Sequence, residues 1–541
     1  MMEYKRLWLF FFPFVLYSVG ARSVWALSDY QEWKISLADR SSYFVWDSDQ
    51  GQDFRESKLH YVEQMAQELS EFSYEDIFFK NLSWNGLFHP PLPLGALPKS
   101  VAIDRRYLGA SDNLDNFGPS LQNKVDALTE SELVSGIEIE LVQDGQSFQK
   151  MRTLILNAER FLFVNMLAAG CKKDSDGHLF ELLREKAKSG TQVWFVVDGL
   201  FSLLSASCFK ELEQSGVAVF YLRNSWFSLR PLMHSSFLVN DKKELLIGSQ
   251  NIYWGFLDSN GINNMDRDVS LYLKGAVATD AIHESLHLWG ERPESSMSRS
   301  LVSKYLHWIQ GEKMKEIGSR LRGNSNYQQW FSDSKFQDSC RFVAQRPKGE
   351  KRDLELTLIE HVRATQKQLS ISSVKFVLSD DPKSVVGKFL KLFSDRNLEV
   401  EFFGNGVRGG NGELTMELND WVQDLTRRQE TLSWWENIKL KLLSRWSEES
   451  YKKQWSKNKA SYRQILDHWD VKIWLHYNFT HHKTWEFDHS AYIFTSALFS
   501  DRTFNDFYDA GVICYRRGIM DRVRAFDLAN SIPLTRSTFR K

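Results

Sequence analysis

His234-Ser235-Ser236, Asp241 and Gly248-Ser249-Gln250-Asn251 form the stretch on which the fold turns, because His481-His482-Lys483, Asp488 and Thr495-Ser496-Ala497-Leu498 repeat its spacing. In both stretches four residues separate the third position from the Asp, and six separate that Asp from the four-residue box. The leading His stands seven residues before the Asp in each. One histidine before an apolar run is ordinarily a satisfied structural residue, and one Gly-Ser pair is only a loop signal. Two copies in register are a different matter: they mark a duplication too long for a solenoid, hence two similar lobes.

Working outward from the first copy, Ile137-Glu138-Ile139-Glu140-Leu141 alternates like a strand, and Phe148, Met151, Leu154 and Ile155 recur at helical spacing up to Arg160. Phe161-Leu162-Phe163-Val164 is a buried-strand run, Leu179 to Lys188 is helical and stops at Gly190, and Val193 to Asp198 is strand again. The same order precedes the second copy: helix from Leu354 to Thr365, strand from Leu369 to Val374, helix from Lys383 to Phe393, strand from Leu398 to Phe403. Alternation of this kind predicts an α/β protein whose two lobes each hold a mixed, mostly parallel sheet flanked by helices. The expected boundaries are lobe 1 over 131–296, a helical connector over 297–350, and lobe 2 over 351–541 with an insertion at about 421–469.

The paired motifs resemble the signature of the phospholipase D superfamily, which is H-x-K, four residues, D, six residues, G-S-x-N, once per lobe. The resemblance runs from about Ile137 to the C-terminus. Pro231-Leu232-Met233 leads into the first motif, Arg267-Asp268 with Gly275 looks like the first-lobe R-D and downstream Gly of bacterial cardiolipin synthase-like members, and Asp501-Arg502-Thr503 resembles their second-lobe P-R-S. The resemblance implies one site at the lobe interface, a covalent phosphohistidine, and no cofactor or metal. It places the nucleophile at His234 and the acid and base at His481, although the residues themselves permit the reverse. It makes Asp268 and Asp509, 34 and 28 residues beyond His234 and His481, the carboxylates that orient the imidazoles. Lys483, Ser249, Asn251, Ser496 and Ser236 fall where the phosphate is held, whereas Asp241 and Asp488 read as structural residues of the motif turn.

These residue types suit the chemistry. Cleaving a phosphodiester without metal needs a nucleophile, an acid for the leaving alkoxide, and fixed donors for the phosphoryl oxygens. Histidine serves in both chemical roles because it titrates near neutrality, and a carboxylate partner fixes its tautomer. The copies also depart from the signature. Ser236 stands where lobe 1 should carry Lys, and Thr495 and Leu498 stand where lobe 2 should carry Gly and Asn. A lost charge-assisted bond of roughly 1.5–3 kcal/mol corresponds to about a ten- to hundredfold loss of rate for each missing donor.

The rest of the 541 residues sets the context. With 68 Lys and Arg against 69 Asp and Glu, the chain is no globally basic nucleic-acid binder, and 43% hydrophobic with 25% charged residues excludes disordered and polytopic membrane classes. Residues 1–26 read as a secretory signal: Lys5-Arg6, a 13-residue apolar run from Leu7 to Val19 too short to span a bilayer, and small residues at Ala21 and Ala26. Residues 27–130 form an N-terminal extension without nameable chemistry. Cys171, Cys208, Cys340 and Cys514 form no CxxC pair; the sequence allows one bridge, between Cys171 and Cys208, or separate buried thiols.

Between Arg427 and Arg463 the insertion holds ten Lys and Arg against four Glu, with Trp434, Trp435, Trp446 and Trp455 interleaved. That pattern suits an anionic membrane interface, a nucleic-acid strand, or a helix that packs its tryptophans and solvates its lysines. Sequons occur at Asn81 and Asn478, and a glycan on Asn478 would crowd an active cleft, which favours bacterial export to the periplasm or beyond. The expectation is therefore an exported, monomeric phosphodiesterase or phosphatidyl transferase acting on phospholipids. A degenerate relative that binds anionic lipid or another phosphorylated ligand is the alternative, and an exported nuclease a more distant one.

Overall fold

The computed structural model describes residues 114–143, 145–171, 174–198, 206–222, 232–252, 266–290, 327, 338–374, 376–377, 381–405, 459–460, 462–466, 471–476, 479–516, 518–529 and 531–534. The leader, the extension up to residue 113, nearly all of the connector before residue 338, the tryptophans of the insertion and both sequons lie outside the described residues.

The first half runs α1 (Pro119–Leu128), β1 (Leu133–Val134), β2 (Glu138–Gln143), α2 (Gln146–Asn157), β3 (Phe161–Met166), α3 (Asp174–Lys188), β4 (Gln192–Val197), α4 (Ala206–Gln214) and β5 (Ala218–Tyr221). It continues through β6 (Leu232–Met233), β7 (Ser236–Asn240), β8 (Glu244–Gly248), β9 (Asp266–Arg267), β10 (Val269–Lys274) and α5 (Val277–Gly290). Its sheet has the order β2-β10-β8-β7-β3-β4-β5. The second half contains β11 (Cys340–Arg346), β12 (Lys351–Arg352), α6 (Asp353–Ala364), β13 (Gln368–Ser373), α7 (Val385–Asp395), β14 (Glu399–Asn405) and β15 (Val471–His476). Then follow β16 (Phe479–Thr480), β17 (Thr484–Phe487), β18 (Ala491–Thr495), α8 (Asp501–Asp506), β19 (Phe507–Cys514), α9 (Ile519–Ala529) and β20 (Ser531–Leu534).

The second sheet passes through β11-β19-β18-β17-β13-β14-β15, strand for strand the order of the first, with β1 added at one edge and β20 at the other. The duplication read from the motifs is thus a duplication of whole sheets. Each sheet is mixed, but the expectation of mostly parallel pairing needs correction. Apart from the short β6–β19 ladder, only β3-β4-β5 and β13-β14-β15 run parallel, and the other ladders along these two strand orders are antiparallel. The helical crossovers precede these parallel strands, whereas each motif occupies a hairpin, and a hairpin pairs antiparallel.

Alternate residues of the central strands explain the layers. Leu162, Val164 and Met166 of β3 pack outward with Met151 and Leu154 of α2 and Leu179 and Leu183 of α3. Phe161 and Phe163 face inward, into a cluster that joins Phe237, Ile247 and Leu271 of lobe 1 to Phe342, Phe494, Ala510 and Val512 of lobe 2. Phe237 and Phe342 meet edge to face at 5.7 Å. Such a pair contributes about 0.5–1.5 kcal/mol beyond its buried area. The lobes therefore share a core, and Arg346 reinforces it with two bonds of 2.9 Å to Glu284 of α5.

Two boundaries shift. Residues 117–134 belong physically to lobe 2: Phe117, Leu121 and Val125 lie in its outer core, β1 pairs with β11, and the fully buried Arg341 binds Asp126, Gln122 and the Ser131 carbonyl. The expected connector ends early, since β11 is already a strand of the lobe 2 sheet from Cys340. The close of the insertion is an ordinary crossover element, with Tyr462, Ile465 and Leu466 in the same core. Both Cys171–Cys208 and Cys340–Cys514 are disulfides, so the single bridge or separate thiols allowed by the sequence become two bridges. The second links directly opposed residues of β11 and β19.

Candidate active site

Two short parallel ladders carry the motifs across the lobe boundary. β6, which leads into His234, pairs with Phe507–Tyr508 at the start of β19, and β16, which leads into His481, pairs with β9 just before Asp268. The His234 amide continues the first ladder by donating to the Tyr508 carbonyl at 2.9 Å. Each histidine is thereby set beside the other lobe's carboxylate. His234 Nδ1 lies 2.8 Å from Asp509 Oδ1, and His481 Nδ1 lies 2.8 Å from Asp268 Oδ2. The pairing by sequence order, Asp268 with His234 and Asp509 with His481, is corrected: the pairs cross.

The box serines complete these pairs. Ser249 Oγ donates to Asp268 Oδ1 at 2.5 Å, and Ser496 Oγ donates to Asp509 Oδ1 at 2.6 Å. A hydroxyl has one proton to give. Both serines, expected on the phosphate, spend it on the carboxylates instead, and so position rather than ligate. Asp268 also accepts from the Val269 amide at 2.8 Å, so both of its oxygens are occupied. The second oxygen of Asp509 is buried with no donor among the described residues.

His481 is held in one protonation state. Its Nδ1 faces a carboxylate and carries a proton, while Lys483 Nζ, which can only donate when charged, sits 3.2 Å from Nε2. Burial, then the Lys483 ammonium, push this imidazole down to about 4 against the opposing pull of Asp268. Lys483 is itself buried and also donates to the His481 carbonyl at 3.0 Å.

The remaining predicted residues sort by lobe. Asn251 accepts at Oδ1 from the Ala168 amide at 3.2 Å and from Ser236 Oγ at 3.4 Å, which leaves its amide N–H groups as what it can offer a phosphoryl oxygen. Ser236 therefore contacts the lobe's own Asn rather than standing as a free lysine substitute. Asp241 and Asp488 are turn residues, as expected. Asp241 accepts from the amides of Glu159, Arg160 and Phe161, and Asp488 from those of Gln366, Lys367 and Gln368, tying each motif hairpin to the start of a neighbouring strand.

Thr495 stands where lobe 1 has Gly, and the ladder shows what each of them faces. Gly248 faces Ser270 of β10, and a Cβ on Gly248 would lie 2.4 Å from Ser270 Oγ and 2.8 Å from the Val269 carbonyl. Thr495 faces Gly511, where a Cβ would lie 3.0 Å from Thr495 Cβ. Each lobe has one small residue at this close approach, on opposite strands.

Sequence reading missed two neighbours. His482, fully buried, binds Thr480 Oγ1 at 2.7 Å and Asp527 of α9 at 3.1 Å, anchoring the second motif from behind, and nothing in the spacing marks Asp527. Phe507 packs against the His234 ring at 5.4 Å. Its place two residues before Asp509 is the only cue the sequence holds. Among the described residues no group of three or more His, Cys, Asp or Glu is arranged to hold a metal ion, and no helix is long and apolar enough to cross a membrane.

No family model matches the sequence, and no curated protein matches it. Among solved structures, the chain is similar to a phosphatidylserine synthase of Haemophilus influenzae Rd KW20, at 11% identity and a TM-score of 0.49, over 77% of this chain and 93% of that one. It is also similar to a polyphosphate kinase of Porphyromonas gingivalis, at 10% identity and a TM-score of 0.42, over 83% of this chain and 54% of that one.

Proposed function

We propose that this chain is a phospholipase D-type phosphodiesterase or phosphatidyl transferase that acts on phospholipids through a phosphohistidine. The observation that supports the reading is the crossed pair of His–Asp contacts, in which an imidazole from each lobe has its Nδ1 on a carboxylate of the other lobe. Two such rings supply a nucleophile and an acid, while Lys483 and the Asn251 amide supply donors for the phosphoryl oxygens. Export belongs to the same reading and is supported by the two disulfides, which persist in oxidising compartments. The basic, tryptophan-rich stretch at 421–469 would bring the protein to an anionic membrane surface.

The test is to incubate the purified protein with vesicles of phosphatidylglycerol, phosphatidylcholine or cardiolipin and follow phosphatidate or, with added alcohol, headgroup exchange. Activity is expected for at least one lipid and is abolished in His234→Ala and His481→Ala. Full activity in either variant refutes the two-histidine reading. A second reading, a catalytically silent binder of anionic lipid, is favoured by Leu498, an apolar residue where lobe 1 has the amide of Asn251. Vesicle binding that survives both His→Ala changes, with no product, would select it.

A further inference from the structure

The two half-sites are not equivalent, and their asymmetry points to a division of labour within the reading just proposed, on which it rests. Lys483, the one lysine of the two motifs, stands 3.2 Å from His481 Nε2. A charged amine donates, so that nitrogen presents its lone pair, and the proton of the ring is on Nδ1 against Asp268. Asp268 is fully engaged by Ser249, the Val269 amide and His481. On the other side Ser236 replaces the lysine, and among the described residues no Lys or Arg hydrogen-bonds to His234. Asp509, its partner, keeps one buried oxygen without a donor. The lone pair is thus presented at His481, and the less neutralised carboxylate faces His234.

We propose that His481 is the nucleophile and His234 the proton donor, the reverse of the assignment that the family resemblance implies. His481 Nε2 attacks phosphorus and forms the N–P bond as the P–O bond to the leaving alcohol breaks, and the departing oxygen takes the proton from His234 Nε2. Lys483 swings from Nε2 to a phosphoryl oxygen as the ring nitrogen is consumed. In the second half, His234 Nε2 takes a proton from water or an acceptor alcohol while that oxygen attacks phosphorus, the N–P bond breaks, and both rings return to their starting states.

The experiment uses a phosphatidyl ester of p-nitrophenol, whose leaving group needs no protonation, with the wild-type chain, His234→Asn and His481→Asn. His234→Asn is expected to release about one nitrophenolate per protein in a burst and then stall with the phosphatidyl group retained, whereas His481→Asn gives no burst. Wild-type protein quenched in alkali during turnover and mapped by mass spectrometry should carry the group on His481, a readout that needs no variant to fold. A label on His234 overturns the assignment and leaves the phosphohistidine reading standing. Turnover without label on either histidine overturns both.

Discussion

The exchange of Gly for Thr in the second motif yields a stability prediction that can be worked from distances. Gly511→Ser would place a Cβ 3.0 Å from both the Phe494 carbonyl and Thr495 Cβ, and 3.2 Å from Ile493 Cδ1. Overpacking of this kind costs about 1–3 kcal/mol. Thr495→Gly removes two hydrogen bonds, Oγ1 to the Ala510 carbonyl at 2.8 Å and the Ala497 amide to Oγ1 at 3.0 Å. With the added backbone freedom of glycine that loses roughly 2–3 kcal/mol.

Independent effects would sum to about 3–6 kcal/mol in the double variant. If the ladder needs only one small residue, as the Gly248–Ser270 pair of lobe 1 indicates, the double variant loses the Thr495 Cβ contact, keeps those with the Phe494 carbonyl and Ile493 Cδ1, and falls by less than that sum. Urea unfolding of the four proteins, with disulfides intact, measures the coupling. Additivity within about 0.5 kcal/mol would refute the compensation and make Thr495 a plain defect of the motif.

Asp268→Asn should lower turnover by about a hundred- to ten-thousandfold with little change in unfolding midpoint, because it unsettles the His481 tautomer; Ser249→Ala should act in the same direction by about ten- to hundredfold. Unchanged activity in lipid assays of Asp268→Asn would remove the orienting role. Stability should fall on acidification from pH 6.5 towards 4. His361, pushed down to about 3 by burial, and His481, pushed down to about 4, stay unprotonated in the fold while the unfolded chain takes up protons near its ordinary histidine value. His361→Gln should flatten that slope, and an unchanged slope would show that buried neutral His361 does not set it. Replacing Cys340 and Cys514 by Ser should cost about 2–5 kcal/mol, with reduction of the wild type, which opens both bridges, costing at least as much, and prompt alkylation of native thiols without reductant would contradict the bridges.

Much of the architecture is legible along the chain because it rests on local periodicity. The all-apolar core of β3 and the helical spacing of Met151, Leu154 and Ile155 predict the elements they form. Strand direction was less legible: an antiparallel hairpin and a buried parallel strand share the same apolar run, so the antiparallel majority of each sheet emerges only from the ladders. The assignment of residues 117–134 to lobe 2 was invisible too, since it depends on a buried arginine more than two hundred positions downstream in Arg341.

The duplicated spacing by itself determined that two lobes exist and that His234, His481, Lys483 and Asn251 are the residues to compare, because a repeat in register survives on the one-dimensional chain. What only the tertiary structure decided is who faces whom. The carboxylates cross between lobes, the serines serve those carboxylates, and Thr495 is matched by Gly511. The reason is physical: a hydrogen bond or a steric contact is set by a few ångströms of space, and these partners are separated by 213 and 275 residues of sequence.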